Sequence, residues 1–158
     1  MKRALVTLMA LLACSAQALA DQPNWIAGTW KLTAATQTEQ GQSKEYFGPK
    51  PLGQVIFAAN GSFSDILVRS DLPKIASNNR TRGTAEENAA VVNGSVAFYG
   101  TYSLSGDNLK LHIEGSTFPN WENTDQTRVV HRSGDQFTWE NAAGSGGGQI
   151  KLVFQRVK

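Results

Sequence analysis

Two-residue alternation, repeated in segment after segment and punctuated by tight-turn dipeptides, most restricts the folds open to this chain. Eight segments carry it: 28–34, 53–58, 62–69, 95–104, 108–116, 125–132, 136–141 and 148–157. In NLKLHIEGS, for example, Leu109, Leu111 and Ile113 alternate with Lys110, His112 and Glu114. Successive side chains of a strand point to opposite faces, so such a pattern buries one face and wets the other. Asn60-Gly61, Asn93-Gly94, Gly106-Asp107, Gly134-Asp135 and the glycine-rich run 144–148 separate the segments. Asn-Gly and Gly-Asp accept positive φ, as tight hairpin turns require. Links this short join antiparallel neighbours, because a parallel crossover needs about a dozen residues or more.

One segment departs from the pattern. Thr84-Ala85-Glu86-Glu87 is a capping box, with Thr84 as N-cap and Glu87 reaching back to its amide, and it predicts one short helix over 85–92. The stretch before it, 69–83, is long for a hairpin link and carries Arg69, Lys74, Arg80 and Arg82. Long loops in compact domains often serve as lids or binding loops. About eight strands with one helix and no internal repeat predict an all-β antiparallel fold, either a sandwich or a closed barrel. Closure is the more economical of the two because it removes exposed sheet edges.

Residues at both ends make the barrel more specific. Asn24-Trp25-Ile26-Ala27-Gly28-Thr29-Trp30 resembles the lipocalin opening, in which Gly-x-Trp begins the first strand. On the last segment Ile150, Leu152, Phe154 and Arg156 share a face, which places Arg156 near one barrel end, much as lipocalins lay a last-strand arginine across that tryptophan. Gly28, Trp30 and Arg156 are thus expected to close the barrel and to do no chemistry. The middle of the chain resembles the bacterial and fungal lipocalin-like domain family. The matching stretches are 47–53 (FGPKPLG), 73–77 (PKIAS), 82–87 (RGTAEE), 98–102 (FYGTY) and 114–128 (EGSTFPNWENTDQTR). The resemblance covers nearly all of 25–157 and implies a small antiparallel lipocalin-like barrel, without implying an activity.

The first twenty residues read differently. Lys2 and Arg3 precede a short apolar run, Ala4 to Ala13, and Ala18-Leu19-Ala20 forms a small-x-small cleavage site. That is the layout of a secretory signal, 1–20, ahead of one domain, 21–158, and it predicts a periplasmic or secreted protein. Leu11-Leu12-Ala13-Cys14 resembles a lipobox, so a lipoprotein anchored at Cys14 is the alternative; only that form would meet a membrane. Cleavage after Ala20 removes the single cysteine, so neither disulfide nor thiol chemistry is expected. It also removes Lys2 and Arg3 and no acid, so 15 basic residues fall to 13 against 13 acidic ones. A domain without basic excess is a poor partner for nucleic acid. The motifs of nucleotide and thiol chemistry are missing too: there is no P-loop, no GxGxxG after a strand, no CxxC and no GxSxG. No cofactor is expected.

The candidates for chemistry are sparse. His112 and Glu114, two apart on one segment, share a face, as an acid–base pair requires. Plain alternation sends Leu109, Leu111 and Ile113 inward and leaves both outside; Asp125 completes the set of proton-transfer candidates. A metal would need three or four ligands, and no third is placed convincingly beside them, so no metal site is expected. On SFSDILVR the residues Phe63, Asp65, Leu67 and Arg69 share a face that can point either way; inward, Asp65 and Arg69 would need partners or a polar ligand. Pro119 ends the strand before Phe118-Pro119-Asn120-Trp121. Phe118 and Trp121 then either plug the barrel end or rim a pocket, with Asp125 or Arg128 as polar anchors. Arg80 and Arg82 could hold an acidic group at the same mouth, and Tyr102 joins this ligand-binding set. The leading expectation is an exported barrel that binds a small, largely apolar or amphipathic molecule with an acidic group. The alternatives are a non-redox isomerase, cyclase or hydrolase on the same barrel, and an envelope interaction protein with a filled core.

Overall fold

The alternating segments close into a cylinder. In a computed structural model describing residues 24–158, the strands are β1 (Gly28–Glu39), β2 (Gln42–Glu45), β3 (Leu52–Phe57), β4 (Ser62–Val68), β5 (Ser95–Ser105), β6 (Asn108–Ser116), β7 (Thr124–Ser133), β8 (Gln136–Asn141) and β9 (Gln149–Arg156). One helix, α1 (Ala85–Gly94), precedes β5, and a 3-10 turn spans Pro119–Trp121. The expected signal segment 1–20, with Cys14, lies outside the described residues. Neighbours pair antiparallel in the order β1-β3-β4-β5-β6-β7-β8-β9, and β9 returns to β1, so eight strands form a closed barrel. β2 stands apart as a short flap on the far end of β1.

β1 runs past the expected end at residue 34, because a bulge between Leu32 and Ala34 changes which residues face inward. Trp30 and Leu32 are buried before it, Ala35 and Gln37 after it. An inserted residue flips the alternation that follows. β2 has no buried residue, so no contrast marked it in the sequence. The helix forms at its capping box: the Glu87 amide donates to Thr84 Oγ1 (3.2 Å) and the Thr84 amide to Glu87 Oε2 (2.8 Å). It runs two residues past the expected end, so Asn93-Gly94 forms the last turn of the helix and not the tight turn its sequence suggests; Gly94 is buried there, where a Cβ would sit 2.5 Å from the Leu72 side chain and 3.0 Å from that of Arg69.

One end of the barrel is filled. Trp30, Phe57, Phe137 and Phe154 are fully buried there, with Phe137 edge-on to Trp30 at 4.8 Å and stacked on Phe154 at 5.0 Å. Each such side chain contributes on the order of 2–3 kcal/mol through burial. The Arg156 guanidinium lies 4.0 Å from the Trp30 ring centroid, with Nη1 donating to Ala27 O (3.0 Å) and Nη2 to Trp25 O. Trp30 Nε1 donates to Ile26 O (2.7 Å). Gly28 permits this approach: its φ is +126°, and a Cβ there would sit 2.7 Å from Arg156 Nη1. At the other end lie the 46–51 link, the 3-10 turn and the β8–β9 loop, and these surround what is left of the interior.

Candidate functional site

β4 builds the floor of that interior. Phe63 and Leu67 are buried, and their two-residue spacing carries Asp65 inward between them, where it is 0% exposed. Its cross-strand neighbours are Val55 and Phe98, both apolar. Neither carboxyl oxygen has a hydrogen-bond partner among the described residues. Burial raises the Asp65 pKa from 3.8 to about 8, against smaller opposing pulls from the Ile66 amide and the Arg128 charge. That amide does not reach hydrogen-bonding geometry, so burial dominates.

Arg128 reaches the same space from β7 and is 4% exposed. Nη1 donates to Thr127 O (3.1 Å) and Nη2 to Gln126 Oε1, and the guanidinium lies 5.8 Å from the Trp139 ring centroid. Burial lowers its pKa to about 10, partly offset by Asp65. The group stays charged at neutral pH.

Aromatic and aliphatic walls rise from this floor: Tyr46, Phe47, Phe98, Trp121, Trp139 and Leu152. Trp121, half-buried, stands edge-on to Phe98 at 5.2 Å and to Phe118 at 5.6 Å. The β8–β9 loop is fastened by Gln37, whose Nε2 donates to Gly146 O (3.2 Å) and Gly147 O (2.7 Å). The pocket volume is about 40 Å3, enough for a few waters and well below the several hundred Å3 of most small-molecule pockets.

Of the expected site residues, Asp65, Trp121 and Arg128 meet here, with Phe118 packed behind Trp121. The rest go elsewhere. Arg69 leaves β4 and forms a two-toothed pair with Asp71 (2.9 and 2.8 Å). Arg80 and Arg82 are exposed in the long loop and do not line the pocket. Tyr102 faces the filled end, donating to Ala58 O (3.0 Å) and accepting from Asn24 Nδ2 (2.7 Å). His112 and Asp125 pair across β6 and β7 on the outer face (2.8 Å), and Glu114 is exposed on that side. Among the described residues no three His, Cys, Asp or Glu side chains come together as metal ligands would. Trp139, Gln126 and Tyr46 were not singled out from sequence. Trp139 was within reach, since it shares a face with Phe137 in QFTWEN; Gln126 and Tyr46 carry no comparable signal.

Among solved structures, the chain is similar to a lipocalin-like protein from Bacteroides uniformis, at 20% identity and a TM-score of 0.47, over 84% of this chain and 98% of that one. It is also similar to an uncharacterized protein from Bacteroides eggerthii, at 17% identity and a TM-score of 0.42, over 84% and 99%. No curated protein matches. A family model described as the lipocalin-like domain matches residues 27–157. The matched span takes in all nine strands and both ends of the barrel closure, and the chain belongs to the lipocalin-like domain family.

Proposed function

We propose that this chain is an exported lipocalin-like barrel that binds a small, largely apolar molecule with a polar head group, in the pocket between Trp121 and Asp65. The observation that carries the reading is Asp65, wholly buried with neither oxygen bonded among the described residues. A buried polar group without a partner costs a few kcal/mol, and a filled structural core would do better with leucine. A ligand that bonds to this carboxyl supplies the missing partner, and the aromatic walls suit its apolar body. The volume of about 40 Å3 admits only a small group, so a ring-sized molecule would have to part Trp121 from Phe98. The signal-like segment 1–20 supports export to the periplasm or beyond.

The enzyme alternative draws little support from His112, Glu114 and Asp125, because they stand on the outer face away from the pocket. Native mass spectrometry of the protein, purified without denaturation, tests the binding reading. The expected result is a mass excess of one small molecule that disappears on unfolding. A bare polypeptide mass, together with no thermal stabilisation by any member of a panel of small aromatic compounds, would sink it and favour a barrel that works through its outer surface.

A further inference from the structure

Arg128 bonds only along its own strand, to Thr127 and Gln126, and Asp65 bonds to nothing among the described residues. Among the described residues neither side chain hydrogen-bonds to another element; Arg128 meets β8 only through the face of Trp139. A guanidinium has five N–H donors, and these bonds occupy two of them. Asp65 and Arg128 line the same small pocket.

Few other groups set the charge of that cavity. The Tyr46 phenol stands at its rim. β5 turns Val96 and Phe98 toward it, β8 Trp139 and Asn141, and β9 Ile150 and Leu152. β6 faces inward with Leu109, Leu111 and Ile113, while β1 and β3 present Gln37 and Val55. Glu140 and Lys151 pair with each other outside (2.9 Å), and His112 is taken by Asp125. The floor is therefore neutral when Asp65 is ionised. When Asp65 is protonated, the floor is a cation with an extra O–H donor beside it, and burial favours this second state at neutral pH. A floor rich in donors and carrying positive charge fits an anion.

We propose that the Asp65–Arg128 floor binds the carboxylate of a small, flat apolar acid, with Asp65 entering the complex as a carboxylic acid that donates to the ligand beside the Arg128 guanidinium. The inference rests on the reading that the pocket admits a small molecule, and it names that molecule's head group. The ring would lie against Trp121, Phe98 and Trp139. Binding is coupled to a proton, because ionising Asp65 removes a donor and sets a second negative charge against the ligand. Affinity is full while Asp65 in the free site is protonated and is lost as pH rises through its pKa, by about tenfold per pH unit beyond it.

Benzoate and benzamide test this, since they share a ring and differ in the charge of the head group. Calorimetric titration of the purified protein with each, at pH 7 and pH 9, reads affinity and proton uptake together. Benzoate should bind about tenfold more weakly at pH 9 than at pH 7. At pH 9 its binding should take up nearly one proton, seen as a heat that depends on the buffer. Benzamide should bind more weakly than benzoate at pH 7. Asp65→Asn keeps the shape and a donor, so it should retain benzoate and flatten the pH profile. Arg128→Met should lose benzoate while keeping its near-ultraviolet circular dichroism; if that variant does not fold, the wild-type pH profile decides alone. Benzoate affinity that is unchanged or rises from pH 7 to 9, or a preference for benzamide, overturns the proposal and leaves small-molecule binding standing. No heat and no tryptophan fluorescence change with either ring, up to its solubility limit, overturns both.

Discussion

At Asp65 a carboxyl group takes the place of a third apolar side chain in the inward row of β4. Its folded pKa is raised from 3.8 to about 8. The folded state therefore holds this proton more tightly than the unfolded chain does. The resulting stabilisation is complete below the unfolded value near 4 and is lost as pH climbs through about 8. Asp65→Asn has no such titration. Its stability should match wild type near pH 4 and exceed it by about 5 kcal/mol at pH 9, measured by urea unfolding at the two pH values. A group that weakens the fold where an apolar side chain would strengthen it fits a binding role. Arg156 has the opposite character: it bonds two carbonyls and covers Trp30. Arg156→Ala should cost about 3 kcal/mol in the same assay. Arg156→Lys should lose most of that too, because an ammonium lacks the flat fork that meets both oxygens.

Among the elements, legibility followed contrast between faces. β6 was read to its limits because leucine and isoleucine alternate with lysine, histidine and glutamate. β2 escaped because all four of its residues are exposed, and the second half of β1 escaped because its bulge reverses the alternation. The helix was legible from its cap, which is local chemistry, although most of its residues are exposed and only Gly94 is buried. Such a helix should come and go without the barrel. Thr84→Ala should weaken it by about 1 kcal/mol, seen as faster amide hydrogen exchange across 85–94 with an unchanged melting temperature for the barrel. The 3-10 turn shows that plug and rim need not exclude each other. Trp121 shields Phe98 and also forms a wall of the pocket.

For the whole molecule, the decisive event is the return of β9 to β1, which brings Arg156 to Ala27, 129 positions away in the chain. Removing residues 149–158 would leave β1 and β8 with open edges and uncover Trp30. The truncated chain should show no cooperative urea transition and should associate during gel filtration. Local chemistry was enough to read the eight barrel strands in outline, most of their tight turns, the helix cap and, with the family resemblance, the tryptophan–arginine closure, because alternation and turn residues act within a few positions of one another. It could not say which face of β4 points inward, that Arg128 from three strands away shares its cavity, or that Arg80 and Arg82 stay outside. Those outcomes depend on the inward rows of neighbouring strands and on what each loop packs against. Those neighbours are distant in sequence and adjacent only once the barrel has closed.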